Sequence, residues 1–256
     1  MSKTRQHDDL ELARSFAVTL GDSQLTPPIS ENWNAVVYAT RGVVTVRSDA
    51  GTWVVPPNRA VWLPAGVPFR LEIGHVAELR MVYLRRPSAF GAREGGCRVL
   101  DVSPLLRELM LRIVSIGALF KNEPRHRRIV GLIADELQEA AIEPLALPYP
   151  RGRRIDRLMA GLDSHPPDRW TPDELIRESG FSRRTVERLF RDETGMSMGQ
   201  WLRRYRLLQG LKSLADGQTA SRVAFDLGYS SPSAFIAMFR RELGTTPGNY
   251  LANRSE

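Results

Sequence analysis

Two arginines four residues apart, Arg184 and Arg188, with Glu187 between them, form the group in this 256-residue chain best suited to recognise a ligand. On a helix, positions i and i+4 share a face. Two guanidinium forks on one face can each address guanine bidentately, and a neighbouring carboxylate can accept from cytosine. Arg183 and Arg191 flank them and suit phosphate, which positions a protein on DNA without reading it. The alternative for Glu187 is pairing within its own helix, to Arg183 or Arg191, worth only about 0.2–0.5 kcal/mol. These residues need a helix whose opposite face is buried. Val186, Leu189 and Phe190 supply that face by their i, i+3, i+4 spacing, and Ser182 stands where an N-cap belongs.

The same pattern is written twice. Val186, Leu189 and Phe190 match Phe235, Met238 and Phe239, and Gly180-Phe181-Ser182 corresponds to Gly228-Tyr229-Ser230 with one extra residue in the second turn. An amphipathic segment precedes each glycine, Asp173–Ser179 and Ser221–Leu227. Helix, glycine turn and helix make a helix-turn-helix unit, whose second helix enters the major groove. The second copy exposes Ser233, Ala234 and Ala237, then Arg240 and Arg241. Ser233 and Ala237 are its base-facing candidates and discriminate weakly, whereas Arg240 and Arg241 suit phosphate. Between the copies, Ser197 to Asp216 reads as one continuous helix through Met198, Trp201, Leu202, Tyr205, Leu208 and Leu211. At ~1.5 Å per residue it is roughly 30 Å long, close to the ~34 Å of one DNA turn. Gly210 costs this helix about 1 kcal/mol against alanine and permits close packing.

Charge is distributed to match. Net charge is +7. Residues 1–150 carry 18 basic and 16 acidic side chains, a balance of +2, and residues 151–256 carry 18 and 13, a balance of +5. The excess lies with the repeated motif, as a polyanion-binding half requires. Cys97 is the only cysteine, which excludes an internal disulfide and a cysteine-based zinc site. No apolar run approaches the ~20 residues of a membrane span, and Met1–Phe16 lacks a signal-peptide core. A cytoplasmic protein without membrane contact is expected.

The preceding text organises into an α+β chain. Residues 1–30 are polar and read as a mobile arm. From residue 31 to 102, short alternating segments around Val36, Val44, Trp53, Val61, Leu71 and Val82 are broken by Pro and Gly turns, the pattern of a small β-barrel or jelly roll. Residues 103–143 read as two helices. The first carries Leu105, Leu106, Leu109, Ile113 and Ile116, a stripe too wide for a free surface helix and therefore a dimer-interface candidate. Pro144, Pro148 and Pro150 mark a linker over 144–152. Residues 153–256 then form an all-α DNA-binding domain, with a helix near 153–162 and a capping box at Thr171-Pro172-Asp173-Glu174.

The second copy, Ala224-Phe225-Asp226-Leu227-Gly228-Tyr229-Ser230-Ser231-Pro232-Ser233-Ala234-Phe235, continues to Phe239-Arg240-Arg241 and Gly244-Thr245-Thr246-Pro247-Gly248-Asn249-Tyr250. This stretch resembles the AraC/XylS family of transcription regulators over roughly Thr171 to Tyr250. The segments Gly51-Thr52-Trp53 and Pro56-Pro57-Asn58-Arg59-Ala60-Val61-Trp62-Leu63-Pro64-Ala65-Gly66-Val67-Pro68 resemble the cupin-type sensor of one branch of that family. The resemblance implies a sequence-specific DNA-binding regulator, activator or repressor, acting at double-stranded promoter DNA. It implies a small-molecule effector pocket in the barrel and a homodimer through the helices after it; RNA polymerase is a further expected contact. Trp33, Tyr38, Trp53, Trp62 and Phe69 are the pocket candidates.

Related sensors carry histidines where this chain has Ile29, Glu31 and Phe69, and His7, His75, His126 and His165 lack ligand spacing. Glu72, His75 and Glu78 are close in sequence without forming a designed metal set. No metal and no cofactor are expected. That weighs against the main alternative, a cupin-type enzyme fused to a DNA-binding module. A DNA-repair methyltransferase would need several cysteines. A pure protein-interaction module would leave the Arg184/Arg188 face unexplained.

Overall fold

A computed structural model describes residues 10–86, 96–150 and 171–252, with side chains described to residue 250. By packing, the chain divides into two units, residues 1–48 with 55–143 and residues 49–54 with 144–256. The helix expected near residues 153–162 lies outside the described residues.

The first unit is built on a seven-stranded antiparallel sheet. Its strands are β1 (Glu11–Leu20), β3 (Trp33–Arg41), β6 (Arg59–Leu63), β8 (Ala77–Arg85), β9 (Arg98–Asp101), β10 (Ala118–Phe120) and β11 (Ile142–Glu143), in the order β10-β1-β8-β3-β6-β9-β11. Further strands β2 (Ser23–Leu25), β4 (Val44–Ser48) and β7 (Arg70–Ile73) pair antiparallel through β7. On one face of the large sheet, Val36, Tyr38, Trp62, Val82, Leu84 and Leu100 pack against two helices, α1 (Pro104–Ile116) and α2 (Pro124–Glu139). Ser103 caps α1 by accepting from the Leu106 N–H, with proline in the first turn.

Three expectations are corrected. The arm expected over residues 1–30 contains β1, which pairs with β8 along Ala13–Leu20 and with β10. Its alternation of Phe16, Val18 and Leu20 is a strand signal, and Arg14 and Thr19 are exposed. The linker expected over residues 144–152 contains a strand, β12 (Ala146–Pro148), paired antiparallel with β5 (Gly51–Val55). The helical segment 103–143 carries β10 and β11 and packs as part of the first unit. Arg59, buried on β6, pairs with Asp101 and, at 2.6 Å, with Glu143, linking three neighbouring strands.

The helices of the second unit are α3 (Pro172–Ser179), α4 (Arg183–Thr194), α5 (Met198–Ala215), α6 (Ala220–Asp226), α7 (Pro232–Leu243) and α8 (Pro247–Ala252). The long connecting helix is continuous, as its spacing predicts. Among the described residues, no helix is long and apolar enough to cross a membrane.

Candidate nucleic-acid interface

Each reading helix is set by local chemistry. Thr171 and Glu174 form the expected capping box on α3: Thr171 accepts from the Glu174 N–H at 3.3 Å, and the Glu174 carboxylate accepts from the Thr171 N–H at 2.9 Å. Gly180 ends α3 at φ 69°, a left-handed conformation natural to glycine. Ser182 then caps α4 by accepting from the Thr185 N–H. In the second pair Thr219 caps α6, Gly228 turns at φ 75°, and Ser231 caps α7 by accepting from the Ala234 N–H at 3.2 Å.

Burial follows the predicted faces. Val186 and Phe190 are buried on α4, and Phe235, Met238 and Phe239 on α7; Leu189 is half-buried. Arg184, Arg188 and Arg191 are exposed on α4, and none has an acidic partner among the described residues. Ser233, Ala237 and Arg240 hold the equivalent positions of α7, also exposed, and Arg241 lies beside them with its Nε 3.7 Å from the Glu242 carboxylate.

Two residues of the first helix have partners within the protein. Arg183, expected on phosphate, forms an ion pair with Asp173 of α3. Both side chains are exposed, so the pair itself is worth about 0–1 kcal/mol. It nevertheless engages the guanidinium within the protein. Glu187, expected to read cytosine, is half-buried, and its Oε2 lies 3.5 Å from the Met198 N–H that opens α5. It follows Val186 by one position, so it sits at the edge of the buried face, and the N-terminus of α5 offers it partial positive charge.

The pocket candidates are divided among several elements. Trp33 and Tyr38 are five residues apart on β3, so strand alternation sends them to opposite faces. Tyr38 and Trp62 belong to the core under α1 and α2. The Tyr38 hydroxyl donates to Asn58 Oδ1 at 2.9 Å, and burial pushes its pKa up. Trp53 is buried on β5, which counts with the second unit, and Phe69 is half-buried before β7. Around Trp33 the fold gathers residues that the sequence did not suggest. The Arg14 guanidinium lies 4.4 Å from the Trp33 ring centroid and 5.6 Å from that of Tyr83, and half-exposed Phe16 stacks on Tyr83 at 5.9 Å. They come from β1, β3 and β8, so no local pattern announces them.

Of the dimer candidates, Leu106 and Ile113 are fully buried in the chain's own core and Leu109 and Ile116 pack against it; Leu105 is 49% exposed. The width of the apolar stripe is explained by packing on both the sheet and α2.

Glu72 is held by Arg47 at 2.6 Å and Arg70 at 3.1 Å, and Glu78 lies near Arg80 and Arg41, so these carboxylates serve arginines. Among the described residues, no group of three or more His, Cys, Asp or Glu side chains is placed to hold a metal. Burial pushes the Cys97 thiol up to about 11, which keeps it protonated at neutral pH.

Comparison with known proteins gives consistent matches. Residues 175–253 match the helix-turn-helix domain family and residues 22–137 match the AraC-like ligand binding domain. The HTH-type transcriptional regulator NimR of Escherichia coli is 35% identical over 246 residues, covering 94% of this chain and 88% of that protein. The regulatory protein SoxS of Salmonella typhimurium is 34% identical over 100 residues, 38% of this chain and 91% of that protein. Among solved structures, the DNA-binding domain of AdpA in complex with a target DNA is 33% identical, covering 38% of this chain and 89% of that one, with a TM-score of 0.36.

Proposed function

Since the chain belongs to the AraC family of transcription regulators, we propose that its two helix pairs read DNA unequally, with α4 supplying sequence discrimination and α7 mainly affinity. It is a DNA-binding transcription regulator with an N-terminal domain of ligand-binding type. The relatives are regulators, which favours this over a fused cupin-type enzyme.

One observation carries the unequal reading. At equivalent exposed positions α4 presents Arg184 and Arg188 where α7 presents Ser233 and Ala237, and both arginines lack an acidic partner among the described residues. An unpaired guanidinium costs less to commit to a base than one that must first leave a carboxylate. A bidentate arginine–guanine contact is worth ~1–3 kcal/mol of discrimination. Arg184→Ala or Arg188→Ala relaxes preference at one or two base pairs and leaves random-sequence binding nearly unchanged. Arg240→Ala or Arg241→Ala weakens all sequences alike and lowers the salt slope by about 1. Binding to a library of site variants tests this, and Arg184 and Arg188 variants that keep the wild-type ranking of sites would refute base reading.

The protein is further proposed to act as a homodimer through the outer faces of α1 and α2. Leu105 and Leu132 are 49% and 48% exposed there, while their apolar neighbours Leu106, Ile113 and Ile133 are buried. Leu105→Glu with Leu132→Glu turns a sedimenting dimer into a monomer. A wild-type chain that sediments as a monomer at all accessible concentrations, with and without DNA, overturns the proposal.

A further inference from the structure

The indole of Trp201, on the first turn of α5, is completely buried and needs a partner for its N–H. It donates to the Pro148 carbonyl oxygen at 2.7 Å. That acceptor comes from β12, outside the helix-turn-helix segment. The same indole touches the reading helix: the Phe190 ring meets it edge-on with centroids 5.4 Å apart, and Tyr205 stacks on it at 5.8 Å. One side chain therefore joins the buried face of α4 to a strand that precedes it by some forty residues.

The strand is itself firmly seated. β12 pairs with β5 in register Ala146 to Trp53, Leu147 to Thr52 and Pro148 to Gly51. The Val54 N–H donates to the Leu145 carbonyl at 3.1 Å, and the Thr52 and Tyr149 hydroxyls hydrogen-bond. Gly51 has φ 148°, and a Cβ there would lie 2.4 Å from the Leu147 carbonyl oxygen and 2.9 Å from Pro148 Cα. Only glycine lets β12 come this close, so the seat depends on that residue type.

We infer that the strand Ala146–Pro148 is a positioning element for DNA reading. By accepting the Trp201 N–H it fixes the ring on which Phe190 of α4 rests, so residues 49–54, which carry the strand, govern how well Arg184 and Arg188 are presented. Trp201 acts through α4 and is a positioning residue. The inference rests on the reading of DNA by α4 proposed above.

The test uses the full chain. Trp201→Phe keeps an aromatic ring against Phe190 and Tyr205 but removes the N–H. Thr52→Val removes the hydroxyl that meets Tyr149, and Gly51→Ala lifts the strand outright. Amide exchange is followed at Val54 and along α4, and affinity is measured for the cognate site and for random DNA. Trp201→Phe and Gly51→Ala are expected to speed exchange in α4 and to lower cognate affinity about three- to tenfold, the range for one lost hydrogen bond, with random-DNA affinity unchanged. A general loss of folded protein would lower both affinities together, so their ratio isolates positioning. If Gly51→Ala does not fold, Trp201→Phe and Thr52→Val decide. Unchanged α4 exchange and cognate affinity in Trp201→Phe, or in a variant whose Val54 amide has lost protection, overturns the inference. Failure of base reading is distinguished by the Arg184 and Arg188 variants in an otherwise native chain, because α4 exchange reports on the strand whether or not those arginines read bases.

Discussion

The two helix pairs share an interior plan and differ in what holds it and in what it displays. The second pair is packed by a row of rings: Tyr229 to Phe235 at 5.7 Å, Phe235 to Phe239 at 5.9 Å and Phe239 to Tyr250 of α8 at 5.6 Å, all edge-on. Such pairs add about 0.5–1.5 kcal/mol each beyond burial. The first pair has a smaller interior, with Val186 and Phe190 as the fully buried residues of α4, and leans on Trp201 for its aromatic contact. Trp201 in turn leans on β12. The helix with the richer exterior, Arg184, Arg188 and Arg191, thus draws more of its support from elsewhere. Interior positions are constrained by packing and stay apolar in both pairs. Exterior positions carry no such constraint and are free to specialise.

The comparison can be broken at its interior first. Phe190→Ala and Phe239→Ala each truncate a fully buried ring, and each is expected to cost about 3–5 kcal/mol, read as a lower urea midpoint. A loss under about 1 kcal/mol at Phe190 would mean that α4 does not depend on its contact with Trp201. A smaller effect sharpens the difference between the pairs. A Cβ on Gly210 would sit 3.0 and 3.1 Å from Phe235 ring carbons and 3.2 Å from Leu227 Cδ1, all within the second pair. Overpacking costs about 1–3 kcal/mol, against about 1 kcal/mol gained in helix propensity. Gly210→Ala is expected to destabilise by about 1 kcal/mol net while leaving the base preference of Arg184 and Arg188 intact. A stabilised variant, or one with altered base preference, would show that the connecting helix tolerates a side chain there or couples both pairs.

Much of the DNA-binding half was legible in the sequence because its determinants are local. The i, i+3, i+4 rows put Val186 and Phe190, then Phe235 and Phe239, inside. Thr171 and Ser182 stand one residue before the helices they cap. The close packing read into Gly210 is present, against Phe235 and Leu227. Less was legible in the first unit. Period-2 alternation marks two faces of a strand without saying what covers each, so Tyr38 and Trp62 were grouped with Trp33 although they turn toward α1 and α2. The leucine stripe of α1 looked unpartnered because spacing within a helix does not say that the large sheet and α2 both pack on it.

By itself the sequence determined the repeated helix-turn-helix plan, the Thr171 capping box, the Ser182 cap and the glycine turns, and the arginine pair on the outer face of α4. Each follows from residues within a few positions of one another, where helix geometry leaves little choice. Tertiary structure alone decided that β1 joins the sheet rather than trailing as an arm, and that Arg183 turns to Asp173 and Glu187 to the start of α5. It also decided that the proline-rich linker is a strand seated on β5 and holding Trp201. The physical reason is common to all of these. A strand edge, a lone charge or a buried indole N–H needs a partner, and which residue answers that need is fixed only when distant parts of the chain have packed.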